Sequence, residues 1–163
     1  MKTFKQYLES LKACPAAIKW AGDKPIEQVV TECHRGDWLL WLAKKCGVEL
    51  QPLTLAKAHC ANTVRHLMTD ERSVKAVDVA IAFGEGRATQ DELDTYADAA
   101  AYADYAAYAV AAAATSATSA TDADAAAAAA DAAYAANQHK TADICRKYIG
   151  DLIIEKVNQP LNP

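Results

Sequence analysis

Glycine and proline are scarce in this sequence, with six glycines and five prolines in 163 residues. All-β sandwiches and barrels need frequent turns, and these two residues supply most of them. Valine, isoleucine and threonine also never alternate with polar residues for more than a few positions. These absences exclude an all-β fold.

The sequence also lacks a C-x-x-C pair and a long run of strongly apolar residues. Its five cysteines are odd in number and lie in apolar, helix-like segments, which predicts buried thiols in a reducing compartment. The first residues alternate charge with apolar side chains and do not resemble a signal peptide. The uncharged stretch 105–121 consists mainly of alanine, serine and threonine, which gain little from lipid. We therefore expect a cytoplasmic protein without a membrane span.

Lysine and arginine are missing between Ala88 and Asn137, where eight acidic residues occur. Residues 1–87 carry 13 basic against 10 acidic residues, a net charge of +3, whereas residues 88–163 carry 4 against 11, a net charge of −7. Such an acidic half repels nucleic acid and attracts a basic protein. We expect no nucleic-acid partner for this half.

Alanine is the residue in excess, with 38 copies, of which 25 lie between Ala97 and Ala136. Alanine has the highest helix propensity, so the composition predicts an all-α fold. We expect one domain comprising a short-helix bundle over 1–87, an alanine-rich antiparallel helical hairpin over 88–155 and a tail over 156–163.

Capping signals divide the first half into short helices. Thr3 with Gln6 predicts the start of a helix to about Leu11, and Pro15 predicts the start of a helix through Trp20 that ends at Gly22. Asp23 is expected to cap a helix that runs to Cys33 with Pro25 in its first turn. Asp37 is expected to cap a helix from Trp38 to Lys45 that stops at Gly47. The segment from Trp38 to Ala43 is apolar all round, which predicts a central position.

Two further helices precede the alanine-rich region. Apolar spacing predicts a buried stripe of Leu53, Ala56, Cys60, Val64 and Leu67, and then a helix from Glu71 to Phe83 that buries Val74, Val77, Val79 and Ile81. Thr89 with Glu92 forms another capping box.

The alanine-rich region predicts two helices, because Thr115–Thr121 is a run of weak helix formers. The alternative is one helix of roughly 60 residues, about 90 Å long. The second helix is expected to dock on the first through a stripe of Ala126, Ala130, Tyr134, Asn137, Thr141, Ile144, Tyr148 and Leu152. The same small-residue faces could instead join two copies of the chain.

An acidic face bearing tyrosines is the first candidate site. It combines negative charge with rigid aromatic rings, which suits protein recognition, although the same residues could simply pack and solubilise an alanine helix. Its residues are Asp91, Asp94, Asp98, Tyr102, Tyr105 and Tyr108.

A second group is expected either as a ligand site or as a structural network at helix junctions. It comprises Arg35, Asp37, Arg65, His66, Asp70 and Arg72. No cofactor or metal site is predicted, since His59 and His66 are seven positions apart on a helix, too far to share an ion. No catalytic residue is predicted either, although Cys33 beside His34 is the strongest nucleophile candidate.

One resemblance follows from particular strings. Gly36-Asp37-Trp38-Leu39-Leu40-Trp41-Leu42, Arg65-His66-Leu67, an Ala/Tyr/Asp-rich tract and Ala142-Asp143-Ile144-Cys145-Arg146 together resemble the alanine-rich all-α immunity proteins of bacterial polymorphic toxin systems. The resemblance implies a small intracellular protein without enzymatic activity that binds and neutralises a toxin.

We therefore expect a non-catalytic protein that binds a toxin, which would be basic if the acidic face receives it. Two alternatives are retained. One is sequestration of a nucleotide or metabolite in a pocket served by Arg35, Arg65, Arg72 or Arg146, and the other is a hydrolase that uses Cys33 or Cys60.

Overall fold

The computed structural model describes residues 3–68, 71–96 and 123–161, and within these ranges all regular secondary structure is helical. The all-α prediction is therefore confirmed. The helices are α1 (Phe4–Ser10), α2 (Pro15–Ala21), α3 (Ile26–Glu32), α4 (Gly36–Lys45), α5 (Leu50–Asn62), a 3-10 turn (Arg65–Leu67), α6 (Glu71–Gly84), α7 (Gln90–Thr95) and α8 (Ala123–Leu161).

Local capping chemistry explains several of these helix ends. Thr3 accepts a hydrogen bond from the Gln6 backbone N–H while the Gln6 side chain accepts one from the Thr3 N–H, a complete capping box at α1. The same reciprocal pair joins Thr89 to Glu92 at α7. Pro15 lies in the first turn of α2, which ends at Gly22 in the left-handed region. All of these ends were predicted from the sequence.

Two predicted caps are wrong. Helix α3 begins at Ile26 with Pro25 as its N-cap, so Asp23 does not cap it. Helix α4 begins at Gly36 with Arg35 as its N-cap, and Asp37 lies inside the first turn. The physical reason is that both Asp37 oxygens accept hydrogen bonds from the Arg35 guanidinium, so this carboxylate is not used to cap backbone N–H groups.

Helix α8 is the centre of the main core. It packs against α3, α4 and α5, and one side of it is completely buried. Arg146 also ties it to the end of α3, since its guanidinium donates hydrogen bonds to the carbonyl oxygens of Val30 at 3.3 Å and Cys33 at 2.6 Å. Within 134–161, the part of α8 whose side chains are described, the buried residues are Thr141, Ala142, Cys145, Ile149, Gly150, Ile153, Val157 and Leu161.

The face of α8 that packs on α3–α5 differs from the stripe that was predicted to dock on the first alanine-rich helix, and that docking stays a prediction. Ile144, Tyr148 and Leu152 are only half-buried, because the face that meets α3–α5 is rotated towards Cys145 and Ile149. The helix also continues to Leu161, beyond the predicted end at 155, because Val157 and Leu161 are buried in the main core and stabilise the last turns. The predicted first alanine-rich helix begins as α7, whereas its remainder after residue 96 and the break at Thr115–Thr121 lie outside the described residues.

The cores also differ in detail from the periodicity predictions. In α4, Leu39, Leu42 and Ala43 are buried, whereas Trp38, Leu40 and Trp41 are half-buried, since these three side chains pack at the margin of the main core. In α6 the buried residues are Ala76, Val77 and Ala80 rather than the full valine and isoleucine set. Leu67 is 40% exposed because the helix ends at Asn62 and the chain changes direction in the 3-10 turn.

Two glycines allow helices to approach closely. A Cβ on Gly36 would lie 2.2 Å from Thr141 Oγ1 and 2.7 Å from the Thr141 carbonyl carbon. A Cβ on Gly84 would lie 2.4 Å from Leu55 Cβ. These glycines therefore set the spacing between α4 and α8 and between α6 and α5.

No helix within the described ranges is long and apolar enough to cross a membrane.

Candidate functional site

A pocket of about 530 Å³ opens between the first four helices, next to the main core. Its walls are mostly apolar, and three of its sixteen lining residues are charged. The lining residues are Phe4, Leu8, Lys12, Ala13, Cys14, Ala17, Trp20, Ala21, Val29, Cys33, Arg35, Asp37, Trp38, Leu39, Trp41 and Leu42. We refer to it as the tryptophan pocket.

The three tryptophans of the chain all line this pocket. Trp20 on α2 and Trp38 on α4 meet edge-on, with ring centroids 6.1 Å apart and planes inclined by 60°. All three rings are half-buried, so each presents one part to the core and another to the pocket or solvent. Because they come from two helices, the pocket depends on the packing of α2 against α4.

A cation lies over each tryptophan ring. Lys24 Nζ is 3.9 Å from the Trp20 ring centroid, and Lys45 Nζ is 5.9 Å from that of Trp41. The Arg35 guanidinium carbon is 4.8 Å from the Trp38 centroid. These distances fall within the range in which a ring face attracts a cation, so the pairs restrain the rings at the pocket edge.

Arg35 and Asp37 form a bidentate ion pair at the pocket. Arg35 Nε donates to Asp37 Oδ1 at 2.9 Å and Nη2 donates to Oδ2 at 2.6 Å. This hydrogen bonding to Asp37 raises the pKa of Arg35. The two residues were grouped as candidates from the sequence, and the structure brings them together in the tryptophan pocket.

Lys12 is the charged lining residue that the sequence did not indicate as a candidate. It follows α1 with a φ of 58°, and no other residue except glycine has a positive φ in the described part of the chain. Its backbone N–H donates to the Glu9 carbonyl and that of Ala13 donates to the Leu8 carbonyl, which is the Schellman pattern at a helix end. A signal was available, because a helix ends near Leu11 and another begins at Pro15 with no glycine or asparagine between them.

The other members of the second predicted group lie elsewhere. Arg65, in the 3-10 turn, donates to both carboxylate oxygens of Asp78 on α6, at 2.5 and 2.9 Å, and these hydrogen bonds lower the pKa of Asp78. The sequence did not indicate Asp78 as its partner. His66 and Arg72 are exposed, and Asp70 lies outside the described residues. The structure therefore separates Arg35 and Asp37 from Arg65.

Three cysteines are buried in the main core. Cys60 Sγ and Cys145 Sγ are 4.0 Å apart, and both are buried, as is Cys33. The hydrogen bond with Cys60, together with burial, raises the pKa of Cys145, and burial raises that of Cys33. Cys33 is therefore held in the unreactive thiol form at neutral pH. Cys14, which was expected to be buried, is exposed because it lies in the loop before α2.

Metal-ligating side chains do not converge in the described ranges, where no group of three His, Cys, Asp or Glu residues could hold an ion. His34 stacks on His139 with centroids 5.4 Å apart, and His59 stacks on Tyr148 at 4.5 Å. The first contact connects the loop between α3 and α4 to α8, and the second connects α5 to α8.

The acidic face is described only at its start. Asp91 and Asp94 are exposed on α7, and Asp94 accepts a hydrogen bond from Gln90 at 2.8 Å. Asp98, Tyr102, Tyr105 and Tyr108 lie outside the described residues. The assignment of this face to partner binding stays a prediction.

No family model matches this chain, and no curated protein or solved structure is detectably similar to it.

Proposed function

We propose that this chain is a non-catalytic binding protein and that the tryptophan pocket is its binding site. One observation carries the proposal, namely that all three tryptophans and an ion-paired arginine surround a single apolar pocket. Tryptophan and arginine are the residues most enriched where binding energy concentrates at interfaces. Half-buried rings restrained by neighbouring cations form a preorganised surface, so little conformational entropy is lost on binding.

The first candidate occupant is an apolar side chain of a protein toxin, which the chain would neutralise by forming a complex. The resemblance of the Gly36–Leu42 string to immunity proteins supports this role. A pocket of about 530 Å³ is large enough to receive such an anchor side chain. In this reading, the acidic face provides long-range attraction for a basic toxin, while the pocket provides the short-range apolar contact.

The second candidate function is sequestration of a small molecule. The volume and apolar lining of the pocket favour it, since drug-sized ligands occupy cavities of roughly 300–1,000 Å³ with a few polar groups. Arg35, which was named from the sequence as a possible ligand arginine, lines this pocket. Its guanidinium is already paired with Asp37, so it would orient a ligand more than neutralise it.

A pull-down from the native host tests the binding function and separates the two occupants. Tagged protein is used as bait, and the eluate is analysed for both protein and small molecules. The blocking variant is Ala17→Phe, which places a ring in the pocket from α2, and the matched control is Ala16→Phe, one residue earlier at an exposed position that does not line the pocket.

We expect wild type and Ala16→Phe to retain the same stoichiometric partner and Ala17→Phe to lose it. A stoichiometric protein supports toxin neutralisation, whereas a small molecule without protein supports sequestration. Equal capture by both variants would exclude the tryptophan pocket as the binding site.

A further inference from the structure

We propose that the tryptophan pocket binds an apolar small molecule that carries a carboxylate, sulfonate or phosphate, and that the Lys12 ammonium holds this anionic group. The inference rests on the second candidate function above and specifies the chemistry of its ligand. It follows from the backbone conformation of Lys12, the charges at the pocket and the apolar character of the walls.

The backbone at position 12 favours glycine. A φ of 58° is a left-handed conformation, which a side chain with a Cβ adopts at a steric cost, and this position of a Schellman motif is usually occupied by glycine. Lysine therefore lies where local stability alone would favour another residue. Strained residues of this kind cluster at functional sites, where the side chain has a role that compensates for the strain.

Among the charged residues that line the pocket, one cation has no ion-pair partner in the described part of the chain. The charged lining residues are Lys12, Arg35 and Asp37, and the last two are paired with each other. Across the described ranges, no carboxylate forms an ion pair with Lys12. The lining residues therefore carry a net charge of +1, two cations against one carboxylate, which complements one anionic group.

The other residues that line the pocket favour a ligand with an apolar body. Phe4, Leu8 and Leu42 contribute aliphatic and aromatic surface, and the three tryptophans contribute ring faces and edges. Such walls gain free energy by removing apolar ligand surface from water. A fully polar anion would leave this surface uncovered, so the ligand must combine both characters.

The tryptophans provide a direct optical readout, because every tryptophan of the chain lines the pocket. Full-length protein is titrated with anilinonaphthalene sulfonate, which has an apolar aromatic body and one anionic group, and with N-phenylnaphthylamine, which has the same body without charge. Quenching of tryptophan emission measures binding. We expect the sulfonate to bind wild type about fivefold more tightly than the neutral probe, which is the effect of one partly exposed ion pair.

The decisive variant is Lys12→Gly, with Lys140→Gln as the matched charge control on α8, where Lys140 is exposed and does not line the pocket. We expect Lys12→Gly to lose the preference for the sulfonate while Tm stays the same or rises, because glycine relieves the left-handed strain. Lys140→Gln should retain the preference. A purely structural role for Lys12 predicts the opposite, a lower Tm and equal loss of both probes.

The outcomes separate the inference from the function on which it rests. If both probes bind wild type equally and Lys12→Gly changes nothing, the anionic ligand is refuted while the pocket remains a binding site. If neither probe quenches the tryptophans, small-molecule binding in this pocket fails, and the inference fails with it.

Discussion

Gly36→Ala should reverse the usual effect of alanine in a helix. Alanine in a helix interior is normally about 1 kcal/mol more stable than glycine. At Gly36, however, the added Cβ would lie 2.2 Å from Thr141 Oγ1, 2.6 Å from Thr141 Cβ and 2.7 Å from the Thr141 carbonyl carbon. The last of these atoms is backbone, so rotation of the Thr141 side chain cannot remove the clash.

The expected loss follows from this geometry. Overpacking a well-packed core costs about 1–3 kcal/mol, and a clash with backbone places this variant at the upper end, since α4 and α8 must move apart. For a chain of this size, each 1 kcal/mol corresponds to about 2–4 °C in Tm. We therefore expect Gly36→Ala to lower the free energy of unfolding by about 3 kcal/mol and Tm by about 6–12 °C.

Urea unfolding followed by circular dichroism measures this loss, and Gly150→Ala is the matched control. Gly150 lies within α8, and its added Cβ would meet two side-chain atoms, Val30 Cγ1 at 3.3 Å and Arg146 Cβ at 3.9 Å, the second at an ordinary van der Waals distance. We expect Gly150→Ala to stay within about 1 kcal/mol of wild type, because a small adjustment of Val30 is offset by helix propensity. A Gly36→Ala variant as stable as wild type would refute the close approach of α4 and α8.

Three other predictions concern charge, reactivity and association. Burial lowers the pKa of His59, so the folded state binds fewer protons there than the unfolded state does. The stability present above the unfolded pKa of about 6.5 is therefore lost as the pH falls through the lower folded pKa. Urea midpoints should fall more between about pH 7.5 and 5.5 for wild type than for His59→Phe, and equal falls would contradict this prediction. Under native conditions Cys14 should react first with a thiol reagent, seen by mass spectrometry of the labelled peptides, since it is the exposed cysteine of the five; first labelling of any buried thiol would argue against the described core. Asp91→Asn with Asp94→Asn should slow association with a basic protein partner at low salt, measured by stopped-flow, whereas Asp151→Asn on α8 should affect it less; unchanged association would exclude this acidic face.

Local signals in the sequence were sufficient for many helix ends. The capping boxes at Thr3 and Thr89 involve residues three apart, so both partners are visible in a short window. The same holds for Pro15 and for Gly22, whose conformational preferences act through their own backbone. The all-α class follows from composition alone.

Contacts between distant residues could not be predicted in this way. The sequence places Gly36 just before a helix that Asp37 was expected to cap, whereas the role of Gly36 depends on Thr141, more than 100 positions later. Arg146 was named as a possible ligand arginine, yet it donates hydrogen bonds to carbonyl groups at the end of α3. Periodicity also gave α8 a stripe that includes Ile144, Tyr148 and Leu152, because periodicity reports which face of a helix is apolar and not which neighbouring helix covers that face.

The candidate site was partly predictable for a similar reason. Arg35 and Asp37 are two residues apart, so their pairing is local, and they were grouped from the sequence. The contact between Trp20 and Trp38 depends on how α2 packs on α4, and a short stretch of sequence does not show how two helices pack. The sequence marks the position of Lys12 only by the lack of glycine or asparagine between Leu11 and Pro15, and the left-handed conformation itself is seen in the φ angle of Lys12.

Hydrogen–deuterium exchange of the protein, alone and with the molecule captured from its host, tests most directly whether the tryptophan pocket is the binding site. Binding in the pocket should slow exchange in α1, α2 and the first turns of α4, the elements that supply its walls. Slower exchange confined to α6 and α7, with α1, α2 and α4 unchanged, would contradict the account and place the partner on the acidic side of the molecule.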